Sequence, residues 1–112
     1  MNKSFRLKKN EDFQHTISAK QRLGNASFAI YLSHNDLGHL RVGISTSKKL
    51  GIAVVRNRIR RQVRSMIQHR LVVDQPIDLV IIVKNGYLLQ SFVDNEQLLL
   101  KLIRSLGGSF IS

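Results

Sequence analysis

The sequence predicts a single α+β domain, a two-layer sandwich in which three helices pack with a sheet. Its 112 residues have room for one hydrophobic core, and no repeat or linker divides them. Apolar residues recur with a period of two between Phe28 and Ser47 and with a period of about 3.6 between Ala53 and Arg70. The predicted order is helix, two or three strands, helix, strand and helix.

The N-terminal part predicts a short helix and then a hairpin. Asn10 is the candidate N-cap, because Glu11 and Asp12 then lie in the first turn, where the helix dipole favours acids. A very short strand is expected near residues 21–23, before a Gly-Asn turn. Residues 28–33 then alternate between apolar and polar side chains, and the following sequence NDLG predicts the hairpin turn.

The strand predicted over residues 40–47 has two different faces. Leu40, Val42 and Ile44 share the face that we expect to be core. The other face is small and polar, which suits contact with a ligand, and carries Arg41, Gly43, Ser45 and Ser47.

The C-terminal part predicts two helices around a strand. Residues 53–70 carry one apolar stripe, made of Val55, Ile59, Val63, Met66 and Ile67. Residues 77–83 are almost wholly apolar, which is typical of a strand buried on both faces. A last helix is expected to start near Asp94 and Asn95 and to stop at Gly107, with an apolar stripe of Leu99, Leu102, Ile103 and Leu106.

Charge is the main indication of function. Eighteen Lys and Arg against seven Asp and Glu give a net charge of +11, and nine of the basic residues lie between Leu37 and Val73 with no acid among them. Such an excess indicates a polyanionic partner, nucleic acid above all. The alternatives are an anionic membrane surface, an acidic protein, or a surface that only confers solubility, although such surfaces normally mix both signs.

The basic residues of the long helix gather on the side opposite its apolar stripe. Asn57, Arg60, Arg61 and Arg64 lie on that side, Arg56 lies at its border, and Arg58 lies on the other flank. The guanidinium fork suits phosphate, and Asn57 can read a base edge or a 2′-hydroxyl. A merely solvated face would be expected to carry acids four positions away, and this helix has none.

Two further groups of residues are candidate contacts. Lys48 and Lys49, in the turn before Gly51, can form an anion site with the helix N-terminus, although this motif is weak evidence by itself. Tyr31 and Phe13 could stack on unpaired bases. Core packing is the favoured alternative for Phe13, whereas ligand contact is slightly favoured for Tyr31.

Other classes of function lack support in the sequence. There is no Cys, which excludes disulfides and thiolate metal sites and fits a cytoplasmic protein. No apolar run is long enough to span a membrane, and the first residues do not resemble a secretion signal. No acidic cluster indicates a metal-dependent nuclease. A two-histidine ribonuclease pair remains an unspecific alternative, drawn from His15, His34, His39 and His69.

The run RVGISTSKKLGIAVVRNRIRRQVR from Arg41 to Arg64 closely resembles the signature of the protein subunit of bacterial ribonuclease P, as does LKKNEDF from Leu7 to Phe13. The resemblance implies an α-β-β-β-α-β-α domain with an about four-stranded mixed sheet, ribosomal-protein-like with a left-handed crossover. It implies a noncatalytic subunit, while the RNA subunit removes the 5′ leader of precursor tRNA with Mg²⁺. The implied partners are that RNA and precursor tRNA, without DNA or membrane.

The resemblance also implies two binding surfaces. The catalytic RNA would meet Arg56, Asn57, Arg58, Arg60, Arg61 and Arg64. The single-stranded leader would lie in a cleft with Phe13, Ile17, Tyr31, Arg41, Ser45, Ser47, Lys48 and Lys49. Two positions depart from the family pattern, since Ile52 replaces a usual Asn and Ile17 replaces a common aromatic. Rival hypotheses are a ribosomal or RNA-assembly protein without a nuclease role and a protein-only ribonuclease.

Overall fold

The structure, a computed structural model, describes residues 5–19, 21–68 and 70–106. In chain order the elements are α1 (Asn10–Ile17), β1 (Gln21–Gly24), β2 (Phe28–His34), β3 (Arg41–Thr46), α2 (Ala53–Ile67), β4 (Ile77–Val83) and α3 (Phe92–Arg104). Short 3-10 helices at Lys48–Leu50 and Asn85–Leu89 precede α2 and α3. The predicted α+β class and the order of elements are confirmed, with three strands before α2.

The sheet has four strands in the order β1-β2-β4-β3. β2 pairs antiparallel with β1 and β4, whereas β3 runs parallel to β4, so the sheet is mixed. The connection between the parallel strands contains α2, and its left-handed course stays a prediction. The free edge of β3 is met by residues 5–7, where the amide of Leu7 donates to the carbonyl of Val42 at 2.9 Å.

One face of the sheet and the helices α2 and α3 enclose the hydrophobic core. Because strands alternate and helices repeat every 3.6 residues, each element contributes one apolar face. Leu40 and Val42 are buried on this face as predicted, and Ile44 is half-buried beside them. The largest fully buried apolar side chains of this core are Phe28, Ile30, Val63, Met66, Ile67, Ile81, Val83, Leu99 and Ile103.

Helix α1 packs on the opposite face of the sheet, against β2 and β4. Thr16 on α1 and Ser33 on β2 share a buried hydrogen bond of 3.0 Å between their hydroxyl oxygens. The ring of Phe13 occupies the space over Gly43, since a Cβ at that glycine would lie 2.4 Å from Cζ of Phe13. The absence of a side chain at Gly43 therefore allows α1 to approach β3.

Two helix starts differ from the sequence prediction. α3 begins at Phe92 because Ser91 is its N-cap, with the Ser91 hydroxyl accepting from the amide of Asp94 at 3.1 Å. Asn95 does not cap α3, because it is buried and its Nδ2 donates to the carbonyl of Tyr87 at 3.0 Å. Asn10 is likewise inside α1, whose N-cap is Lys9 without a side-chain cap.

The long helix is shorter than predicted. α2 ends at Ile67, because Gln68 leaves the helical conformation with ψ of 132°. The predicted helix stop at Gly107 and the histidine at His69 lie outside the described residues. No helix in the described ranges is both long and apolar enough to cross a membrane.

Candidate nucleic-acid interface

The α2 residues predicted to bind RNA are all exposed or half-buried. Asn57, Arg58 and Arg61 are exposed, whereas Arg56, Arg60 and Arg64 are half-buried. None of the α2 arginines pairs with a carboxylate among the described residues. The positive charge of this surface, which we call the arginine face, is therefore uncompensated. An anionic ligand would relieve the repulsion.

Arg60 is held in place by two neighbours. One terminal nitrogen of its guanidinium donates to the Oγ1 of Thr46 at 2.7 Å, and the other donates to the Oδ1 of Asn57. Thr46 is the last residue of β3, so Arg60 fixes the arginine face relative to the edge of the sheet. A guanidinium restrained in this way loses less side-chain entropy when it binds phosphate.

The structure adds Arg6 to the arginine face. Arg6 lies in the segment beside β3, close enough to α2 to act on Arg64. Burial lowers the pKa of the Arg64 guanidinium, and the charges of Arg6 and Arg60 lower it further. The Nε atoms of Arg6 and Arg56 are buried with no hydrogen-bond partner among the described residues. Apart from its charge, nothing in the sequence singled out Arg6, because only the tertiary structure brings it beside α2.

The turn before α2 places both predicted lysines in solvent. Lys48 and Lys49 are exposed on the 3-10 helix, while Leu50 is buried and anchors it to the core. Gly51 has a φ of +134°, a conformation that L side chains rarely adopt, so glycine is needed where the chain turns into α2. Ile52, which follows, is exposed and offers no polar group at the helix start.

A second surface lies on the α1 side of the sheet, and we call it the sheet cleft. Phe13 and Ile17, one turn apart on α1, are half-buried there. Tyr31 and Ser45 are half-buried on β2 and β3. Strand pairing aligns Tyr31, Val80 and Gly43 in one transverse row, so Tyr31 and the Phe13 ring lie over the same row of the sheet. Ser47 is exposed just beyond β3.

Arg41 differs from the other residues predicted for the cleft because it has protein partners. Its Nε and one terminal nitrogen donate to the two carboxylate oxygens of Asp78 at 2.9 and 2.7 Å, and the other terminal nitrogen donates to Asp12 at 3.2 Å. The hydrogen bonding of the Arg41 guanidinium to the carboxylate of Asp78, which accepts, raises the pKa of Arg41. Arg41 therefore joins α1 to the sheet, and its contact with a leader stays a prediction.

Arg22 is a cleft residue that the sequence did not single out. It pairs with Tyr31 across β1 and β2, and its guanidinium carbon lies 5.5 Å from the centroid of the Tyr31 ring. Finding Arg22 from the sequence would have required the register in which β1 pairs with β2. The short, irregular sequence of β1 does not specify that register.

No hydrogen bond joins two histidines within the described ranges, and His39 bonds through its Nδ1 to the carbonyl of Leu40. His15 and His34 are exposed, whereas the ring of His39 meets the ring of Phe5 edge-on at 5.3 Å between centroids. No group of three His, Asp or Glu residues within the described ranges could hold a metal ion. Of the acids near the cleft, Asp12 and Asp78 are both engaged by Arg41.

Comparison with known proteins gives consistent similarities. Residues 1–107 match the family model described as Ribonuclease P. The chain is 46% identical over 99 residues to the ribonuclease P protein component of Mesoplasma florum, covering 87% of this chain and 90% of the relative.

Two solved structures from Staphylococcus aureus are similar in fold. Its RNase P protein superposes with a TM-score of 0.84 at 29% identity, covering 96% of this chain and 99% of that one. An RNase P protein mutant with defective mRNA degradation activity superposes with a TM-score of 0.81 at 30% identity, covering 91% and 87%.

Proposed function

Because the chain belongs to the ribonuclease P protein family, we propose that it is the RNA-binding, noncatalytic protein subunit of a bacterial ribonuclease P. In this role it binds the catalytic RNA and the 5′ leader of precursor tRNA and assists endonucleolytic removal of the leader in the cytoplasm. The observation that carries the proposal is the arginine face, whose charges have no carboxylate partners among the described residues.

The two surfaces suit two different RNA ligands. The arginine face projects from a helix and offers guanidinium groups to the phosphates of a folded RNA, without needing unpaired bases. The sheet cleft instead offers the Tyr31 ring and small polar side chains, which suit a single strand with accessible bases. We therefore assign the catalytic RNA to the arginine face and the leader to the sheet cleft.

The protein's part in the reaction is binding. Mg²⁺ would supply the activated water and the charge stabilisation, and we assign it to the RNA subunit and substrate, because Asp12 and Asp78 are already engaged by Arg41. By binding the leader and screening phosphate repulsion, the protein would strengthen substrate binding and lower the Mg²⁺ concentration that the RNA requires.

Precursor tRNA cleavage at low Mg²⁺ tests this proposal with the purified protein, the catalytic RNA, and both together. We expect stimulation only in the mixture. Cleavage of precursor tRNA or of mRNA by the protein alone would favour a protein-only ribonuclease. We include mRNA as a substrate because an mRNA degradation activity is named for the S. aureus relative. No effect in any arm would favour a ribosomal or RNA-assembly role.

Tyr31→Ala is expected to weaken the binding of precursor tRNA to the reconstituted enzyme and to spare mature tRNA. A base stacked on an aromatic ring contributes about 1–3 kcal/mol, which corresponds to roughly 5- to 150-fold in affinity. The dissociation constants of both tRNAs measure the effect, and Tyr31→Phe, which keeps the ring, is the matched control. An equal loss for the two tRNAs would remove Tyr31 from the leader site.

A further inference from the structure

Large apolar side chains are exposed where the chain enters α2 and α3. In the part of the chain that the structure describes, eight large apolar residues are exposed, and six of them lie in two short segments, residues 52–54 and 88–93. The most exposed is Leu89, at 85%. A single exposed apolar side chain is ordinary on a protein surface, but a group of six in two segments needs an explanation.

Tertiary contacts fix these two segments relative to each other. The 3-10 helix before α2 contacts the 3-10 helix before α3. The hydroxyl of Tyr87 donates to the Oε1 of Gln62 on α2 at 2.7 Å, and the carbonyl of Tyr87 accepts from the Nδ2 of Asn95 on α3. Tyr87 thereby joins the start of α3 to α2. We call the six exposed residues of the two segments the apolar patch: Ile52, Val54, Leu88, Leu89, Phe92 and Val93.

The apolar patch is a neutral surface on a strongly basic protein. Residues 50–55 contain no charged side chain, and neither do residues 85–93. An RNA backbone is bound mainly through cationic groups, and these two segments provide none. Five of the six patch residues are also aliphatic, whereas unpaired bases are typically stacked on aromatic rings or guanidinium groups. The patch therefore suits an apolar protein surface better than it suits RNA.

The size of the patch is that of a protein interface. Its six residues expose on the order of 600 Å² together, at the upper end of what a monomer exposes in one patch. Each partner in a stable protein complex buries roughly 800 Å², so the patch and a narrow polar rim would be sufficient.

A second copy of this chain is the partner that matches the patch. In a symmetric pair the same surface of each copy meets the other, so an apolar patch is opposed by an apolar patch. Interfaces between identical chains are also more apolar than other protein interfaces. Two copies that each carry a net charge of +11 repel one another, and the repulsion is smallest where neutral surfaces meet.

We propose that the chain forms a symmetric dimer through the apolar patch. The inference goes beyond the proposed function and does not depend on it. Arg64 lies ten residues beyond Val54 along α2, which corresponds to about 15 Å at the rise of an α-helix. The far end of the arginine face is therefore outside the interface, and each copy keeps it available for RNA.

Sedimentation equilibrium of the full-length protein without RNA tests the dimer over a series of protein and salt concentrations. We expect dimerisation to strengthen as salt rises from about 0.1 M to about 1 M, because the Debye length falls from about 10 Å to about 3 Å and the repulsion between the copies is screened. Association through charged groups would have the opposite dependence on salt.

Variants of the patch show whether these residues form the interface. Leu88→Ser and Leu89→Ser should each weaken dimerisation about tenfold, and the double variant about a hundredfold, the scale of central apolar contacts in protein interfaces. Leu37→Ser is the matched control, because Leu37 is 51% exposed, close to the 53% of Leu88, and lies in the turn before β3 outside the patch. It should leave dimerisation unchanged, and circular dichroism should show all the variants folded.

The inference is overturned if the unaltered protein stays monomeric through the micromolar range at every salt concentration, or if its dimer weakens as salt rises. It is also overturned if Leu37→Ser weakens the dimer as much as the patch variants do. A monomeric protein whose Leu88→Ser and Leu89→Ser variants lost affinity for the catalytic RNA would identify RNA as the occupant of the patch instead. The proposed function is tested separately, by whether the unaltered protein stimulates the catalytic RNA.

Discussion

Replacing Asp78 with alanine is expected to lower the free energy of unfolding by about 3–5 kcal/mol, because it leaves the Arg41 guanidinium partly buried without its main partner. The side chains are 4% exposed for Asp78 and 20% exposed for Arg41, and two hydrogen bonds join them. Asn35 also loses the bond of 2.8 Å from its Nδ2 to Asp78. For a small domain this loss is a large part of the total stability.

Urea unfolding followed by circular dichroism measures this loss. Asp12→Ala is the matched control, because Asp12 makes a single, longer contact of 3.2 Å with the same arginine and is 32% exposed. Its removal should cost about 1 kcal/mol or less. If Asp78→Ala were no more destabilising than Asp12→Ala, the buried Arg41–Asp78 pair would not contribute more to stability than the more exposed Arg41–Asp12 contact.

The same pair positions the sheet cleft. Arg41 contacts β4 through Asp78 and α1 through Asp12, so it sets the distance between the helix that carries Phe13 and the strands beneath it. We therefore expect a change at Arg41 to affect leader binding indirectly, through the position of α1 over the sheet. A change at Arg41 would widen or distort the cleft even if its guanidinium never contacted RNA.

Replacing both Arg60 and Arg64 with alanine is expected to weaken binding of the catalytic RNA by about ten- to a hundredfold, since each charge-assisted contact contributes about 1 kcal/mol or more. Each lost phosphate contact should also flatten the log–log dependence of affinity on salt by roughly 0.7–0.9, and hence by about 1.4–1.8 for the pair. The measurement is the dissociation constant for the catalytic RNA over a series of salt concentrations.

Two comparisons make this result specific. Arg61→Ala removes an exposed arginine of the arginine face. It should flatten the log–log dependence of affinity on salt by the amount expected for one phosphate contact, without lowering the free energy of unfolding. Arg104→Ala on α3 should leave the slope unchanged. A double variant that bound more weakly with an unchanged slope would show that Arg60 acts through its bond to Thr46 and the fold, and not through phosphate.

Much of the arginine face was predictable because it belongs to one helix. The repeat of 3.6 residues determines which side chains lie opposite the buried stripe of Ile59, Val63 and Met66, whatever the helix packs against. The α+β class followed in the same way from local periodicities. The predicted ends of the helices were less accurate than the predicted class. The Ser91 cap of α3 and the early end of α2 depend on hydrogen bonds that hydrophobic periodicity does not encode.

By itself, the sequence determined a small basic α+β domain with a charged helix face, and its long RNR-containing run indicated the family. Only the tertiary structure decided that Arg6 joins the arginine face, that Arg41 is engaged by Asp78 and Asp12, and that Arg22 lies over Tyr31. The physical reason is that these contacts join residues on different elements. Strand order and register place them together, and neither is encoded in a local pattern.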